Sequence, residues 1–341
     1  MNTRENPQVH DTSHGFTFNL EDQERSLIKQ LAQGLPTIDV RRLDDDALLT
    51  DIALASKRIP ERLARTLIAF RKNSNEYGTL LFRSLSVDAT LPPTPADGRI
   101  CLNKPTSMSE SSLAMLMMWL GEPIAYQDEK EGALIQNVCP VLGQENRQEN
   151  TGSVYLEFHT EDGFHPFKPD FVGLLCLKAD HNNIARTGTA SIRKILRNLD
   201  KETISVLRKP LYHIRLASSF TKDLTTVNYS SLLSILSGDQ SEPELCMDGH
   251  AMEAITPEAE QAMEALEAAL KEALIEVALV PGDLLIIDNR VAAHTRTAFQ
   301  PRYDGQDRWL QRMFVVQDFR RSRMGRPAGS HACFPLAVET K

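Results

Sequence analysis

The amino-acid sequence predicts a mainly β fold with flanking helices, arranged as a sandwich or barrel. Three observations lead to this prediction. The first third of the 341-residue chain has helical spacing of its apolar residues, the part after Gly121 contains seven short apolar segments, and one long helical pattern interrupts them. Regular alternation of strands and helices is absent, and so is a G-x-G-x-x-G motif, which argues against a doubly wound nucleotide-binding sheet.

The predicted helices carry apolar residues at three- and four-residue spacings. In the first third of the chain these segments are 21–33, 60–71 and 107–121. Gly121 is expected to form the C-cap of the third segment. The long later helix should begin at Thr256, which can cap it, with Pro257 at its first position. Its apolar stripe consists of Met263, Leu266, Leu270 and Leu274.

The predicted strands are short and bounded by Pro, Gly or Asp. They are 133–141, 154–161, 171–178, 212–216, 276–280, 284–288 and 308–316. Residues 1–20 are expected to form a loose lead. We expect one domain over 1–341, with helical support at 1–110, the β core at 111–320 and a C-terminal tail at 321–341.

The composition is that of a globular protein, with 41% hydrophobic and 25% charged residues. The formal net charge of −8, with 38 Lys and Arg against 46 Asp and Glu, has the wrong sign for a protein held by a phosphate backbone. We therefore expect no nucleic-acid partner. The longest apolar run, 113–120, is too short to span a bilayer, so no membrane partner is expected either.

The five cysteines are odd in number and widely separated, and they form no C-x-x-C pair. This pattern argues against a disulfide framework and against a zinc knuckle. Residues 1–10 are polar and lack the apolar core of a secretory signal. The expected location is the cytoplasm.

Two histidines and a carboxylate suggest a metal site. His159 and Glu161 are two residues apart in a predicted strand, so both side chains should project from one face. A Pro-Gly-Asp turn at 281–283 leads into an apolar strand that runs towards His294. Two histidines and one carboxylate form the facial triad of non-haem Fe(II) oxygenases. The alternative is that His159 is a hydrogen-bonded core histidine and His294 a loop residue.

Two arginines lie in the last predicted strand. Arg308 and Arg312 should share a face, about 13 Å apart at about 3.3 Å per residue. Arginines on the inner face of an apolar strand are costly unless anions meet them, and guanidinium groups suit carboxylates. This pattern predicts two carboxylate-bearing ligands. The alternative is that both arginines face solvent.

Several motifs together resemble one family of enzymes. They are H-T-E-D-G-F-H-P at 159–166, the segment 170–177, D-N at 288–289 before His294, and Y-D-G-x-D-R-W-L-x-R at 303–312. Over about residues 112–316 the chain resembles the clavaminate synthase-like Fe(II)/2-oxoglutarate-dependent oxygenases, and within them the free amino-acid hydroxylases acting on arginine, lysine or asparagine. The resemblance implies a double-stranded β-helix, or jelly-roll, core. It also implies Fe(II), 2-oxoglutarate and O2, with release of succinate and CO2.

The resemblance implies a role for each matching residue. His159, Glu161 and His294 would bind the iron. Arg308 would bind the distal carboxylate of 2-oxoglutarate together with Thr187, and Thr189 competes for that second role. Gln136 would contact the α-amino group of the substrate and Arg312 its α-carboxylate. Because radical halogenases of this class replace the carboxylate ligand with Gly or Ala, the presence of Glu161 predicts hydroxylation.

The substrate side chain is expected to meet a lid at about 221–254. Asp248, in this segment, occupies the position where related hydroxylases place a carboxylate that binds the side-chain nitrogen; the alternative is a solvated loop residue. A buried carboxylate favours a cationic amino acid, so lysine is expected first, then arginine or ornithine, then a neutral amide. Two alternatives stay open: an oxygenase of the same fold acting on another small or carrier-tethered amino acid, and a metal-containing jelly-roll binding module.

Overall fold

A computed structural model describes residues 16–36, 43–99, 101, 103–220 and 228–336. Most of the predicted loose lead, the start of the predicted lid (221–227) and the end of the predicted tail (337–341) lie outside the described residues. The helices are α1 (Asp22–Gln33), α2 (Asp46–Ser56), α3 (Glu61–Asn73), α4 (Met108–Met117), α5 (Ile192–Ile195), α6 (Lys201–Leu207) and α7 (Pro257–Glu272).

The strands outnumber the helices and fill most of the chain after α4. They are β1 (Thr17–Asn19), β2 (Thr79–Arg83), β3 (Glu122–Tyr126), β4 (Ile135–Val138), β5 (Leu156–His159), β6 (Phe171–Lys178), β7 (Thr187–Ser191), β8 (Tyr212–Ile214), β9 (Leu236–Gly238), β10 (Pro243–Leu245), β11 (Met252–Ala254), β12 (Ile275–Val277), β13 (Leu284–Asp288), β14 (Ala292–Arg296), β15 (Trp309–Val316) and β16 (Ala332–Cys333).

Two sheets form the core. In the described part of the chain, eight strands make a large sheet in the order β1-β2-β13-β6-β15-β3-β16, with β4 also paired to β15. A smaller sheet has the order β12-β7-β14-β5. One buried apolar cluster contains residues of both sheets, among them Val172 and Phe314 of the large sheet and Ala292 of the small one. The prediction of a mainly β protein with several helices is confirmed.

The N-terminal helices cover the outer face of the large sheet. α2 begins at Asp45, whose side chain accepts hydrogen bonds from the backbone N–H groups of Ala47 and Leu48. Apolar residues of α1, α3 and α4 share a buried cluster with alternate residues of β13 and β15. The predicted helices at 21–33 and 60–71 are thus present nearly as expected, and their apolar stripes pack against the sheet.

Helix α4 is shorter than predicted. It ends at Met117, and its C-cap is Met118 rather than Gly121. Gly121 instead lies against β15, where an added Cβ atom would come 2.3 Å from the backbone carbonyl oxygen of Val316. The missing side chain permits this close approach of two backbones, so the prediction of a Gly121 cap was wrong.

The second half of the predicted lid is packed structure. β9 pairs with β10, and β11 pairs with β8, both antiparallel. Apolar residues from this segment, including Leu245 and Met252, are buried in one cluster with Leu266 and Leu270 of α7. α7 begins as predicted, because Thr256 accepts a hydrogen bond from the N–H of Ala259 and Pro257 occupies the first turn.

The cysteines and the helices bear on two further predictions, that the chain has no disulfide framework and no membrane span. All five cysteines are free thiols, and four of them are buried. Among the helices that the structure describes, none combines the length and the apolar character required to cross a membrane.

Candidate metal centre and active site

Two rows of side chains cross one face of the small sheet, and all of their residues except Thr189 line one cavity. In the first row His294 on β14 is directly opposite His159 on β5 and Thr189 on β7. In the second row Arg296 is opposite Leu156 and Thr187. Because residues two apart on a strand point to the same face, the rows lie side by side, about 6–7 Å apart.

The first row carries a cluster of possible metal ligands. His159, Glu161 and His294 each offer one ligand atom, and these atoms lie within 4.8 Å of one another. The two imidazole rings have centroids 4.1 Å apart, and His294 Nε2 lies 3.4 Å from Glu161 Oε1. One sequence-based detail was wrong: β5 ends at His159, so Glu161 does not share a strand face with it. Glu161 lies in the turn that follows, next to Asp162, whose φ is +49°.

The donor set fits Fe(II). His159 Nδ1 is 2.9 Å from the backbone carbonyl of Glu157, so this nitrogen carries the proton and donates it, which leaves Nε2 free to bind a metal. Burial lowers the pKa of His294 to about 4, which keeps that ring neutral and its lone pair available. Burial alone would raise the pKa of Glu161, but Arg312 and His294 outweigh it and hold this pKa well below its ordinary value.

An asparagine side chain holds Glu161 in place. Asn289, which is fully buried, accepts a hydrogen bond from the Glu161 N–H at 2.8 Å. Its Nδ2 donates to the carbonyl of Glu161 at 3.0 Å and to that of Pro169 at 2.9 Å. The turn after β5 is therefore fixed from the end of β13, 128 residues further along the chain.

The second row ends at a buried cation. Arg308, directly before β15, donates from Nη2 to Thr187 Oγ1 at 3.3 Å. It has no carboxylate within ion-pair distance among the described residues, and burial lowers its pKa. Thr189 lies in the row of the histidines instead, so Thr187 is the threonine that contacts Arg308. A buried guanidinium group without an acidic partner is a ready site for an anion.

Arg312 is also buried, but it is surrounded by acidic and amide groups. Its Nη1 donates to both oxygens of Glu161, at 3.0 Å each, and its Nη2 donates to Glu129 and to Gln136 Oε1. Burial opposes the charge, yet Glu129 and Glu161 outweigh it and raise the pKa of Arg312 above its ordinary value. The predicted pair of Arg312 and Gln136 is thus in direct contact.

Asp248 lies beside the candidate metal ligands. Its backbone forms an isolated antiparallel bridge with His159. Its Oδ1 accepts hydrogen bonds from the N–H groups of His250 and Ala251, at 3.0 and 2.8 Å. The residue is half-buried, and it lines the same cavity as the two histidines.

One cavity of about 810 Å³ brings the predicted residues together. The competing threonine, Thr189, does not line it. All eight residues predicted for the site do, namely His159, Glu161, His294, Arg308, Thr187, Gln136, Arg312 and Asp248. Both predicted arginines are buried there, so the alternative of solvent-facing arginines was wrong.

Sequence reasoning missed three residues of this site. Glu129 belongs to the charged run 128–131, a pattern typical of a solvated loop, yet it contacts Arg312 and its Oε2 is buried without a hydrogen-bond partner. Asn289 belongs to the D-N motif at 288–289, but nothing in the sequence indicates its hydrogen bonds with Glu161. Arg296 could have been found, since it is two residues beyond His294, but 292–296 was not predicted as a strand.

Fold and site together define the class of protein. A β-rich core that holds two histidines and one carboxylate at a deep cavity, with a buried arginine in the next row, is the arrangement of a non-haem iron(II) oxygenase. Residues 120–314 match the family model described as taurine catabolism dioxygenase TauD, TfdA family. The chain belongs to this family.

Relatives with assigned activities extend over most of the chain. It is 39% identical to an L-asparagine oxygenase of Streptomyces coelicolor, over 93% of this chain and 94% of that protein. It is 35% identical to clavaminate synthase 2 of Streptomyces clavuligerus, over 86% and 90%. With an L-lysine 3-hydroxylase of Catenulispora acidiphila it shares 34% identity, over 80% and 76%.

Solved structures agree with these relatives. An asparagine oxygenase in complex with Fe(II), (2S,3S)-3-hydroxyasparagine and succinate superposes with a TM-score of 0.87 at 38% identity, covering 94% of this chain and 99% of that one. The non-haem iron oxygenase OrfP, in complex with Fe, succinate and (3S)-hydroxy-L-Arg, gives 0.84 at 29% identity, covering 93% and 99%. The chain is therefore an Fe(II)- and 2-oxoglutarate-dependent dioxygenase with O2 as co-substrate, and the alternative of a binding module without turnover was wrong.

Proposed function

We propose that this enzyme hydroxylates an unactivated C–H bond of a free L-amino acid, with L-asparagine as the favoured substrate and C3 as the favoured carbon. The two facing sheets are proposed to form a jelly roll. The observation that carries the proposal is the ion pair of Arg312 and Glu129 beside the candidate metal ligands. A cation and a carboxylate held side by side match the carboxylate and ammonium groups of a free amino acid.

The three candidate ligands would hold Fe(II). When bound, the iron activates O2, with 2-oxoglutarate as the electron donor, for attack on a C–H bond. Arg308 and Thr187 would bind the distal carboxylate of 2-oxoglutarate, since Arg308 is buried without an acidic partner and already contacts the threonine hydroxyl. This contact fixes one end of the co-substrate in the row next to the iron ligands.

The amino-acid end of the substrate would be held by three side chains. Arg312 would bind its α-carboxylate, because its Nε is buried and has no hydrogen-bond partner. Glu129 would accept its ammonium group through Oε2, which is buried and has no hydrogen-bond partner. Gln136 touches Arg312 and would add an acceptor for the same ammonium group. An amino acid tethered through its carboxylate would lose the Arg312 contact, so this site favours a free amino acid.

The position of Asp248 favours a short side chain. Its backbone bridge places its Cα about 5 Å from that of the candidate iron ligand His159. A substrate bound at both Asp248 and Arg312 would span only a short distance across the metal centre. The amide of asparagine ends two atoms beyond Cβ, which suits this short distance. Asparagine oxygenase is also the assigned name of the 39% identical relative, and (2S,3S)-3-hydroxyasparagine occupies the superposed structure.

Lysine, the substrate that the sequence alone favoured, is the second candidate. The observation in its favour is the charge of Asp248, whose carboxylate can bind an ammonium group more strongly than an amide. The L-lysine 3-hydroxylase of Catenulispora acidiphila is 34% identical to this chain. Arginine and ornithine follow, since both are cationic.

The test is a panel of free amino acids incubated with the Fe(II)-loaded enzyme, 2-oxoglutarate and O2. We expect mass spectrometry to show the gain of one oxygen atom on L-asparagine, with one succinate formed per product, and nuclear magnetic resonance to place the hydroxyl on C3. L-Asparaginamide, which lacks the α-carboxylate, is the matched control and should not react. Turnover of lysine but not asparagine would replace the first candidate with the second. A product chlorinated in the presence of chloride would contradict hydroxylation.

We also propose a single domain, a substrate lid and a cytoplasmic location. A single domain over 1–341 is supported because Phe171 and Leu175, on β6, pack in one cluster with the N-terminal helices. The segment 228–254 is proposed as the described part of a substrate lid, because it carries Asp248 at the cavity. The free thiols favour a reducing compartment such as the cytoplasm.

A further inference from the structure

Arg296 is a buried cation for which the site has no assigned role. It lies on β14 two residues beyond His294 and is 4% exposed. In the sheet it is directly opposite Thr187, the threonine that contacts Arg308. Its side chain therefore enters the cavity in the second row, on the same face as the candidate metal ligands.

The guanidinium group of Arg296 has few partners. Its Nη2 donates to the carbonyl of Val154 at 2.9 Å, whereas its Nε is buried and has no hydrogen-bond partner. Neither Arg296 nor Arg308 forms an ion pair with any carboxylate of the described residues. Both guanidinium groups lie over the ring of Phe299, with Cζ at 5.4 and 5.9 Å from its centroid.

Two buried cations beside one aromatic ring repel each other, and an anion bound between them would offset this repulsion. A structural role for Arg296 accounts for the bond to Val154 and the contact with Phe299, but it leaves Nε without a partner and the repulsion uncompensated. An anion within reach of both groups would remove both costs.

We propose that Arg296 is a second cationic contact for the distal carboxylate of 2-oxoglutarate, so that this carboxylate binds between Arg296, Arg308 and Thr187. The inference rests on the proposed binding of that carboxylate at Arg308. A carboxylate has about four acceptor positions. Arg308 can fill two of them, and the Thr187 hydroxyl, which accepts from Arg308, can donate to a third. Arg296 supplies the fourth donor from the opposite strand.

The test measures binding without turnover. Fe(II)-loaded enzyme is titrated anaerobically by calorimetry with 2-oxoglutarate and with 2-oxopentanoate, which has a methyl group in place of the distal carboxylate. For Arg296→Met we expect the Kd of 2-oxoglutarate to rise about 10- to 100-fold, as for loss of a charge-assisted hydrogen bond. The Kd of 2-oxopentanoate should stay within about twofold, because the lost contact acts on the distal group alone.

Three variants make the outcome decisive. Arg147→Met, which removes a half-exposed arginine at the mouth of the same cavity, is the matched control and should bind both ligands as the wild type does. Arg296→Lys keeps the charge and should give an intermediate loss, so it decides the matter if the methionine variant does not fold. Arg308→Met should show a loss that is at least as large.

The outcomes separate the two proposals. Wild-type Kd values for 2-oxoglutarate in both Arg296 variants, together with a loss in Arg308→Met, would assign Arg296 a structural role alone. An equal loss for both ligands in the Arg296 variants would also overturn the inference, because damage would then extend beyond the distal group. If the wild type binds 2-oxoglutarate no more tightly than 2-oxopentanoate, the proposed subsite at Arg308 itself fails.

Discussion

Removing the side chain of Asn289 is expected to weaken both the fold and iron binding. Asn289→Ala deletes three hydrogen bonds, to the N–H and carbonyl of Glu161 and to the carbonyl of Pro169. At about 1 kcal/mol each, and with all three backbone groups left buried, the free energy of unfolding should fall by about 3–5 kcal/mol. Glu161 would then lose its fixed position, so we expect the affinity for Fe(II) to fall about 10- to 100-fold.

Two measurements separate these effects, namely urea denaturation of the metal-free protein and anaerobic Fe(II) titration under conditions where the variant is folded. Asn75→Ala is the matched control. Asn75 also makes three hydrogen bonds to backbone groups, at the start of β2 and away from the cavity. It should lower the stability while leaving the Fe(II) affinity unchanged. If Asn289→Ala binds Fe(II) as tightly as the Asn75 variant does, Asn289 does not position the ligand and the reasoning is wrong.

Three further predictions concern the co-substrate, the fold and the substrate. Thr187→Val should raise the KM for 2-oxoglutarate about fivefold through loss of one hydrogen bond, and Thr189→Val should leave it unchanged; the reverse pattern would exchange their roles. Gly121→Ala should lower the free energy of unfolding by about 1–3 kcal/mol, because its Cβ would meet a backbone oxygen. The control Gly34→Ala, whose Cβ would have its nearest contact at 3.4 Å, should change it by no more than about 0.5 kcal/mol. Equal melting temperatures of the two variants would contradict this prediction. Asp248→Asn should raise the KM for lysine more than that for asparagine in steady-state assays, because only the charge is lost; unchanged KM values for both would exclude a side-chain contact.

The sequence was informative where a local signal and tertiary packing agree. Helix α7 could be predicted because Thr256, Pro257 and an apolar stripe all act within one segment. β6 and β13 were recognised because both of their faces are buried, which produces continuous apolar runs. β7 was missed, since its sequence T-G-T-A-S consists of small and polar residues that become buried only through pairing with β12 and β14.

The site was predictable to the level of residue types and not of contacts. His159, His294 and Arg308 could be identified from motifs, and the cavity contains all of them. Nothing local indicated that Arg312 bonds to Glu161, because this contact joins residues 151 positions apart through two different elements. The strand that ends at His159 was predicted to continue two residues too far, to Glu161, because the left-handed backbone of Asp162 is adopted by a residue other than glycine.

The two rows on the small sheet also constrain how this sequence can change over generations. His294 and Arg296 occupy successive cavity-facing positions of one five-residue strand, β14. Deleting or inserting a single residue ahead of them in β14 would turn both side chains to the opposite face at once. A substitution can therefore change His294 or Arg296 alone. An insertion or deletion in this strand instead removes both side chains from the cavity at once. Lineages that retain the enzyme should accumulate insertions and deletions in the connections around β14, and hardly ever within it.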